Sequence, residues 1–127
     1  MQTAAQAFDE GVRIQGEGDM PKALVCFRRA VDLDPSDARY QISLGVCLLQ
    51  LRHWDEAVKA LSRGVELKPH YAEADARLFL AEALANAGDL ARAQEQLKVV
   101  ASMEPSYPSY DKPMAEAKKR LASVGAG

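Results

Sequence analysis

The stretch that decides the fold is Ala23-Leu24-Val25-Cys26-Phe27-Arg28-Arg29-Ala30-Val31-Asp32-Leu33-Asp34-Pro35. Shifted by 34 positions it returns as Ala57-Val58-Lys59-Ala60-Leu61-Ser62-Arg63-Gly64-Val65-Glu66-Leu67-Lys68-Pro69. A third copy runs from Ala93 through Leu97 to Met103-Glu104-Pro105, 36 positions further on. Upstream, Gly11 matches Gly45 and then Ala81, and Gly18-Asp19 matches Arg52-His53 and then Gly88-Asp89. The copies fall at about 4–37, 38–71 and 74–107. Self-similarity at a period of about 20–50 residues marks stacked repeats, each burying its apolar face only against its neighbours.

Within each copy the apolar residues recur at three and four, the helical period, and proline or glycine closes each run. Each copy is therefore a pair of helices, with helices expected at 3–16, 20–33, 37–51, 54–67, 72–87 and 90–103. No segment alternates as a strand would. Asp19 and Asp89 suit the N-cap of a second helix, and Pro21 sits where its missing N–H does no harm. After Pro105-Ser106-Tyr107-Pro108 a seventh helix is expected at 112–124, with Asp111 as its cap. It carries Met114, Ala117, Leu121 and Val124 on one stripe and Glu116, Lys118, Lys119 and Arg120 elsewhere, so one face docks and the other stays wet, as a terminal cap requires. The fold class is thus all-α: a right-handed solenoid of three helix-turn-helix repeats plus a capping helix, read as a single domain over 1–127.

Small residues set the contact distance. Gly11, Gly45 and Ala81 are expected to face Ala23, Ala57 and Ala93, letting paired axes approach, with Phe27, Leu61 and Leu97 filling the layer beyond. This pattern of small residue, Gly-Asp turn, alanine, aromatic or leucine, small residue and proline resembles the tetratricopeptide repeat family. The likeness covers about four fifths of the chain. Glu10 stands where that family usually has leucine, Arg52 replaces the turn glycine, and Gly64 replaces the small alanine. The two-residue expansion near His70-Tyr71-Ala72-Glu73 is expected to shift the first helix of the third repeat.

Composition narrows the function. With 127 residues the chain can bury about two thirds of its unfolded surface. Lys plus Arg number 16 against 18 acids, a net charge of −2, so no basic bulk charge calls for nucleic acid. The uncharged run Tyr40 to Leu51 is far short of the ~20 residues of a membrane span. Asp9, Glu10, Arg13, Glu17 and Asp19 exclude the apolar core of a secretory signal from the first twenty residues, and the chain reads as cytoplasmic.

Chemistry is absent at every place where it could be sought. Cys26 and Cys47 lie in helical patterns without a CxxC or a nearby histidine, and read as buried thiols. Gly16-Glu17-Gly18-Asp19 has no preceding strand and reads as a helix-helix turn, not a phosphate loop. His53 and His70 share no helical face and suggest no metal. The carboxylates fall at helix starts or polar faces, and Arg28-Arg29 and Lys118-Lys119-Arg120 read as solvated faces. No nucleophile, base and oxyanion donor can be assembled, so no catalytic, cofactor or metal residue is assigned and the protein is read as no enzyme.

The informative helix is Gln41-Ile42-Ser43-Leu44-Gly45-Val46-Cys47-Leu48-Leu49-Gln50-Leu51, apolar on two faces. Leu44, Gly45, Leu48 and Leu51 are spaced for the repeat core, and Ile42, Val46 and Leu49 form a second stripe that must also be covered. The family resemblance implies that first helices line a concave groove. Phe8 and Val12, and Leu78, Glu82 and Ala85, hold the corresponding positions. The candidate partner-binding set is Phe8, Val12, Arg39, Ile42, Val46, Leu49, Asp75, Leu78 and Glu82. It suits an apolar or amphipathic peptide of a protein partner, or else the stripe packs on neighbouring helices or the chain's own ends. The resemblance also implies positions for a carboxylate clamp, but here they hold Phe8, Val12, Ser43, Asp75 and Phe79, which cannot form it. Two further uses of the groove stay open. One is a secretion-type chaperone, since Leu44 to Cys47 and Ser62 to Gly64 resemble type III translocator chaperones, although their additional N-terminal helix is not expected here; the other is a homo-oligomeric scaffold.

Overall fold

A computed structural model describes residues 1–126. The helices are α1 (Ala4–Gly16), α2 (Met20–Leu33), α3 (Ala38–Gln50), α4 (Trp54–Glu66), α5 (Glu73–Asn86), α6 (Leu90–Ala101) and α7 (Asp111–Ala126), with a 3-10 turn at Pro108–Tyr110. Among the described residues there is no strand, and no helix is long and apolar enough to cross a membrane. The all-α solenoid is as expected. Each pair α1/α2, α3/α4 and α5/α6 packs as a hairpin, and α2, α4 and α6 each pack on the first helix that follows.

Caps explain where the helices start. The Asp19 carboxylate accepts from the Lys22 N–H at 3.2 Å and Asp89 from the Arg92 N–H at 3.1 Å. Thr3 adds a capping box: its hydroxyl accepts from the Gln6 N–H, while the Gln6 side chain accepts from the Thr3 N–H. His53 makes no cap bond, its Nδ1 lying 3.7 Å from Glu56 instead. Asp111 is a correction. The turn Pro108–Tyr110 feeds directly into α7, so Asp111 is already helical, at φ −58° and ψ −50°, and caps nothing.

The small residues work differently from expectation. A Cβ on Gly11 would sit 2.7 Å from the Phe27 ring, and one on Gly45 would sit 2.5 Å from Leu61 Cγ. The glycines therefore receive the large side chains of the second helices, which are buried against them and do not lie in a layer beyond. Gly64 likewise accepts Ile42, whose Cγ1 lies 2.7 Å from where a Cβ would stand. Of the two thiols, Cys47 is fully buried and Cys26 only half-buried, and burial raises both pKa values.

The turn between helices needs a left-handed residue. Gly18 (φ +90°) and Gly88 (φ +92°) supply it, and Arg52 takes the same place at φ +62°. A residue with a Cβ pays about 1–2 kcal/mol there, and glycine returns about 0.4–1 kcal/mol through unfolded-state entropy. Arg52→Gly should raise the melting temperature by a few degrees in a thermal melt. A clear fall would mean that the Arg52 side chain does more at the turn than its backbone costs.

The two-residue expansion becomes a docking loop. Lys68 turns it at φ +59°, and the Ala72 N–H donates to the Pro69 carbonyl at 2.7 Å. The Tyr110 hydroxyl donates to the His70 carbonyl, and the Ser109 hydroxyl to the Tyr71 carbonyl at 2.9 Å. Tyr107 bridges the rings of Tyr71 and Tyr110 at 4.6 and 5.3 Å. The segment before α7 is thereby tied to the loop before α5. Met114, Ala117 and Leu121 of α7 then pack on the cluster around Leu97, Val100 and Tyr110. Val124 is 52% exposed, so the docking stripe ends at Leu121, one turn earlier than its spacing suggests.

Candidate functional site

The first helices form one layer: α3 touches α5, and α5 touches α7. On this face the candidate residues take different places. Val12 is 46% exposed. Ile42, Val46 and Leu78 are half-buried, each leaning on the core while keeping some area in solvent. Glu82 is exposed and Asp75 half-buried, the latter with its pKa raised by burial.

Phe8 and Arg39 are built together. The Phe8 ring lies 5.0 Å from that of Tyr40 and 6.0 Å from that of Phe27, so α1 is pinned to both α2 and α3. The Arg39 guanidinium stands 5.6 Å over Phe8 and 5.4 Å over Tyr40, a cation–π arrangement. It also donates twice to Asp37, at 3.1 and 2.8 Å, and this fork holds the Asp37 carboxyl below its ordinary range. Arg39 stands at the rim, exposed and paired with Asp37.

Leu49 is corrected. It is 7% exposed, in the cluster that includes Leu80, Ala83 and Leu84 of α5. Its side chain is consumed by packing and offers a partner almost nothing. Phe79, named in the sequence only for the missing clamp, packs half-buried against the same cluster and joins the apolar strip beside Leu78.

A fourth helix also borders the face. Lys112, Glu116 and Lys119 of α7 line, with Asp75 and Leu78, a hollow of about 430 Å³. The signal was available: one further step of 34 from Leu78, Glu82 and Ala85 lands on Lys112, Glu116 and Lys119. A second hollow, of about 500 Å³ against Arg52, His53, Trp54 and Asn86, lies at the helix turns instead, and its charged walls make it a poor seat for an apolar peptide.

The described N-terminal residues do not cover the strip, and α7 borders it only at its Leu78 end. Gln2 donates to Glu10 at 2.8 Å and accepts from Arg29 at 2.9 Å, which holds the N-terminal residues against α1 and α2. At the other end α7 packs chiefly on α6. Among the described residues there is no cluster of potential metal ligands.

Two overlapping spans, residues 9–72 and 48–109, match the family profile described as tetratricopeptide repeat. The chain is 32% identical over 101 residues to the human PEX5-related protein, which takes in 80% of this chain and 16% of that one. It therefore spans about one sixth of the length of the curated relatives it matches. Among solved structures, PcrH of Pseudomonas aeruginosa in complex with the chaperone binding region of PopD is 25% identical at a TM-score of 0.86, covering 96% of this chain and 90% of that one. The Yersinia enterocolitica chaperone SycD, in complex with a peptide of the translocator YopD, is 21% identical at a TM-score of 0.85 over 96% of this chain and 92% of that one, a likeness of fold.

Proposed function

Because this chain belongs to the tetratricopeptide repeat family, we propose that it is a non-enzymatic module that holds an apolar segment of a partner protein along the face of α1, α3, α5 and α7. The observation that carries this reading is the strip Val12, Ile42, Val46, Leu78 and Phe79. It is partly exposed on three successive first helices, and the described N-terminal residues are held against α1 and α2 away from it. Partly exposed apolar residues at the same register position on successive first helices are a docking feature, unlike scattered surface hydrophobics. Phe8, Arg39, Asp75 and Glu82 frame it, and the three repeats with α7 act as one domain over 1–127.

A chaperone form of the same reading is favoured by extent. The likeness to PcrH, solved with a chaperone binding region, runs nearly the full length of both chains, whereas the PEX5-related protein is matched over a small part of its length. Two free thiols, each raised in pKa by burial, suit a reducing, cytoplasmic setting. The test has two arms. Light scattering after size exclusion should find a monomer with an open face, and a displayed library of random 16-residue peptides, panned on the protein, should yield binders that Val46→Glu no longer captures. A dimer with no recoverable binders would mean that a second copy fills the groove.

A further inference from the structure

Among the described residues, two acids on the groove face form no ion pair. Asp75 and Glu82 stand seven positions apart on α5, two turns or about 10.5 Å along its axis, with Leu78 and Phe79 between them. The arginines of the four first helices pair with other residues: Arg13 with Glu17, Arg39 with Asp37, Arg77 with Glu73 and Gln96, and Arg120 with Glu116. Lys112 and Lys119 border the same hollow as Asp75, yet among the described residues neither forms an ion pair with it. Burial alone acts on the Asp75 carboxyl, raising its pKa with no cation to offset it. A half-buried carboxylate left in that state loses more solvation when any ligand covers it.

Resting on the binding reading above, we propose that the groove selects a cationic amphipathic segment, one that seats apolar side chains on Val46, Leu78 and Phe79 and sets Lys or Arg against Asp75 and Glu82. Selection works in both directions. A purely apolar peptide would strip water from Asp75 without compensation, and an acidic one would add like-charge repulsion.

The same peptide library, panned on the parent and on Asp75→Asn/Glu82→Gln, tests this. Pools from the parent should be enriched in Lys and Arg flanking apolar residues, and pools from the double variant should lose that bias. A synthesised parent-selected peptide should bind the double variant about tenfold more weakly, with the difference shrinking as salt is added. Thermal melts of the two proteins should agree within a few degrees, because both substitutions are isosteric and removing the Asp75 charge relieves its burial while losing its place in the first turn of α5. Pools that depend on Val46 but show no basic bias overturn this inference and leave the groove reading standing. An acidic bias also overturns it and assigns the selection to Lys112 and Lys119. Pools that Val46→Glu captures equally well overturn both.

Discussion

Leu48→Glu should leave no folded protein at 25 °C, while Val46→Glu, two residues away on the same helix, should melt within a few degrees of the parent. Leu48 is 1% exposed at the centre of the larger core cluster. An unpaired carboxylate there costs more than the about 5–15 kcal/mol by which a domain of this kind is stable. Val46 leans on that cluster but is only half-buried, so a glutamate can lay its methylenes on the core edge and lift its carboxylate into water. The expected cost is about 1 kcal/mol, together with loss of the peptides that the parent captures. Far-UV circular dichroism melts of the two variants decide the matter. Equal unfolding of both would show that the second stripe is core and that no groove exists. Ile42 is the poorer probe, because its Cγ1 fills the hollow over Gly64 and its replacement would disturb the α3/α4 contact itself.

That contrast also marks what the sequence makes legible. The 34-residue register assigns every helix and every buried position that repeats, from Ala23, Ala57 and Ala93 to Phe27, Leu61 and Leu97, because these residues see the same neighbours in each unit. Register says less about contacts between units. Ile42, Val46 and Leu49 share one stripe on α3, yet Leu49 alone is buried, in the core cluster that also takes in Leu80, Ala83 and Leu84 of α5. Helical period gives direction around an axis and carries no information on where a neighbouring axis crosses. The glycines show the same limit: their spacing announces a close approach, but whether it is filled by an alanine or by the Phe27 ring depends on how the side chains interleave.

The C-terminal helix was legible in a way that amphipathicity alone conceals. Taken as a cap, 112–124 has one apolar face and one wet face, and its charges carry no further meaning. Taken in register, it is the first helix of a fourth unit. Tyr110 then stands where Tyr40 stands in the second, and both are buried. Lys112, Glu116 and Lys119 then fall on the groove side of α7 by the rule that places Leu78, Glu82 and Ala85 on α5. What no register could supply is the tie from Tyr110 to the His70 carbonyl, because it joins an inserted loop to a non-repeating turn.

Removing residues 108–127 should abolish cooperative melting or lower its midpoint by at least about 15 °C. The deletion takes away Tyr110 and Ala117, both buried, and Met114 and Leu121, which pack against Leu97 and Val100. Burying each large apolar side chain is worth about 1.5–3 kcal/mol, so three of them together approach the whole stability of a small domain. Val100, fully buried in the intact chain, would face water with Leu97 and Ala101, and a stack with an apolar end exposed tends to associate. Light scattering should therefore show aggregates in the truncated protein. Tyr110→Phe separates packing from the tie: it keeps the ring and removes only the bond to the His70 carbonyl, for an expected loss of about 1–3 kcal/mol. If the truncated chain stays monomeric and melts where the parent does, α7 contributes nothing to the stack, and its place in the fourth register serves only the groove.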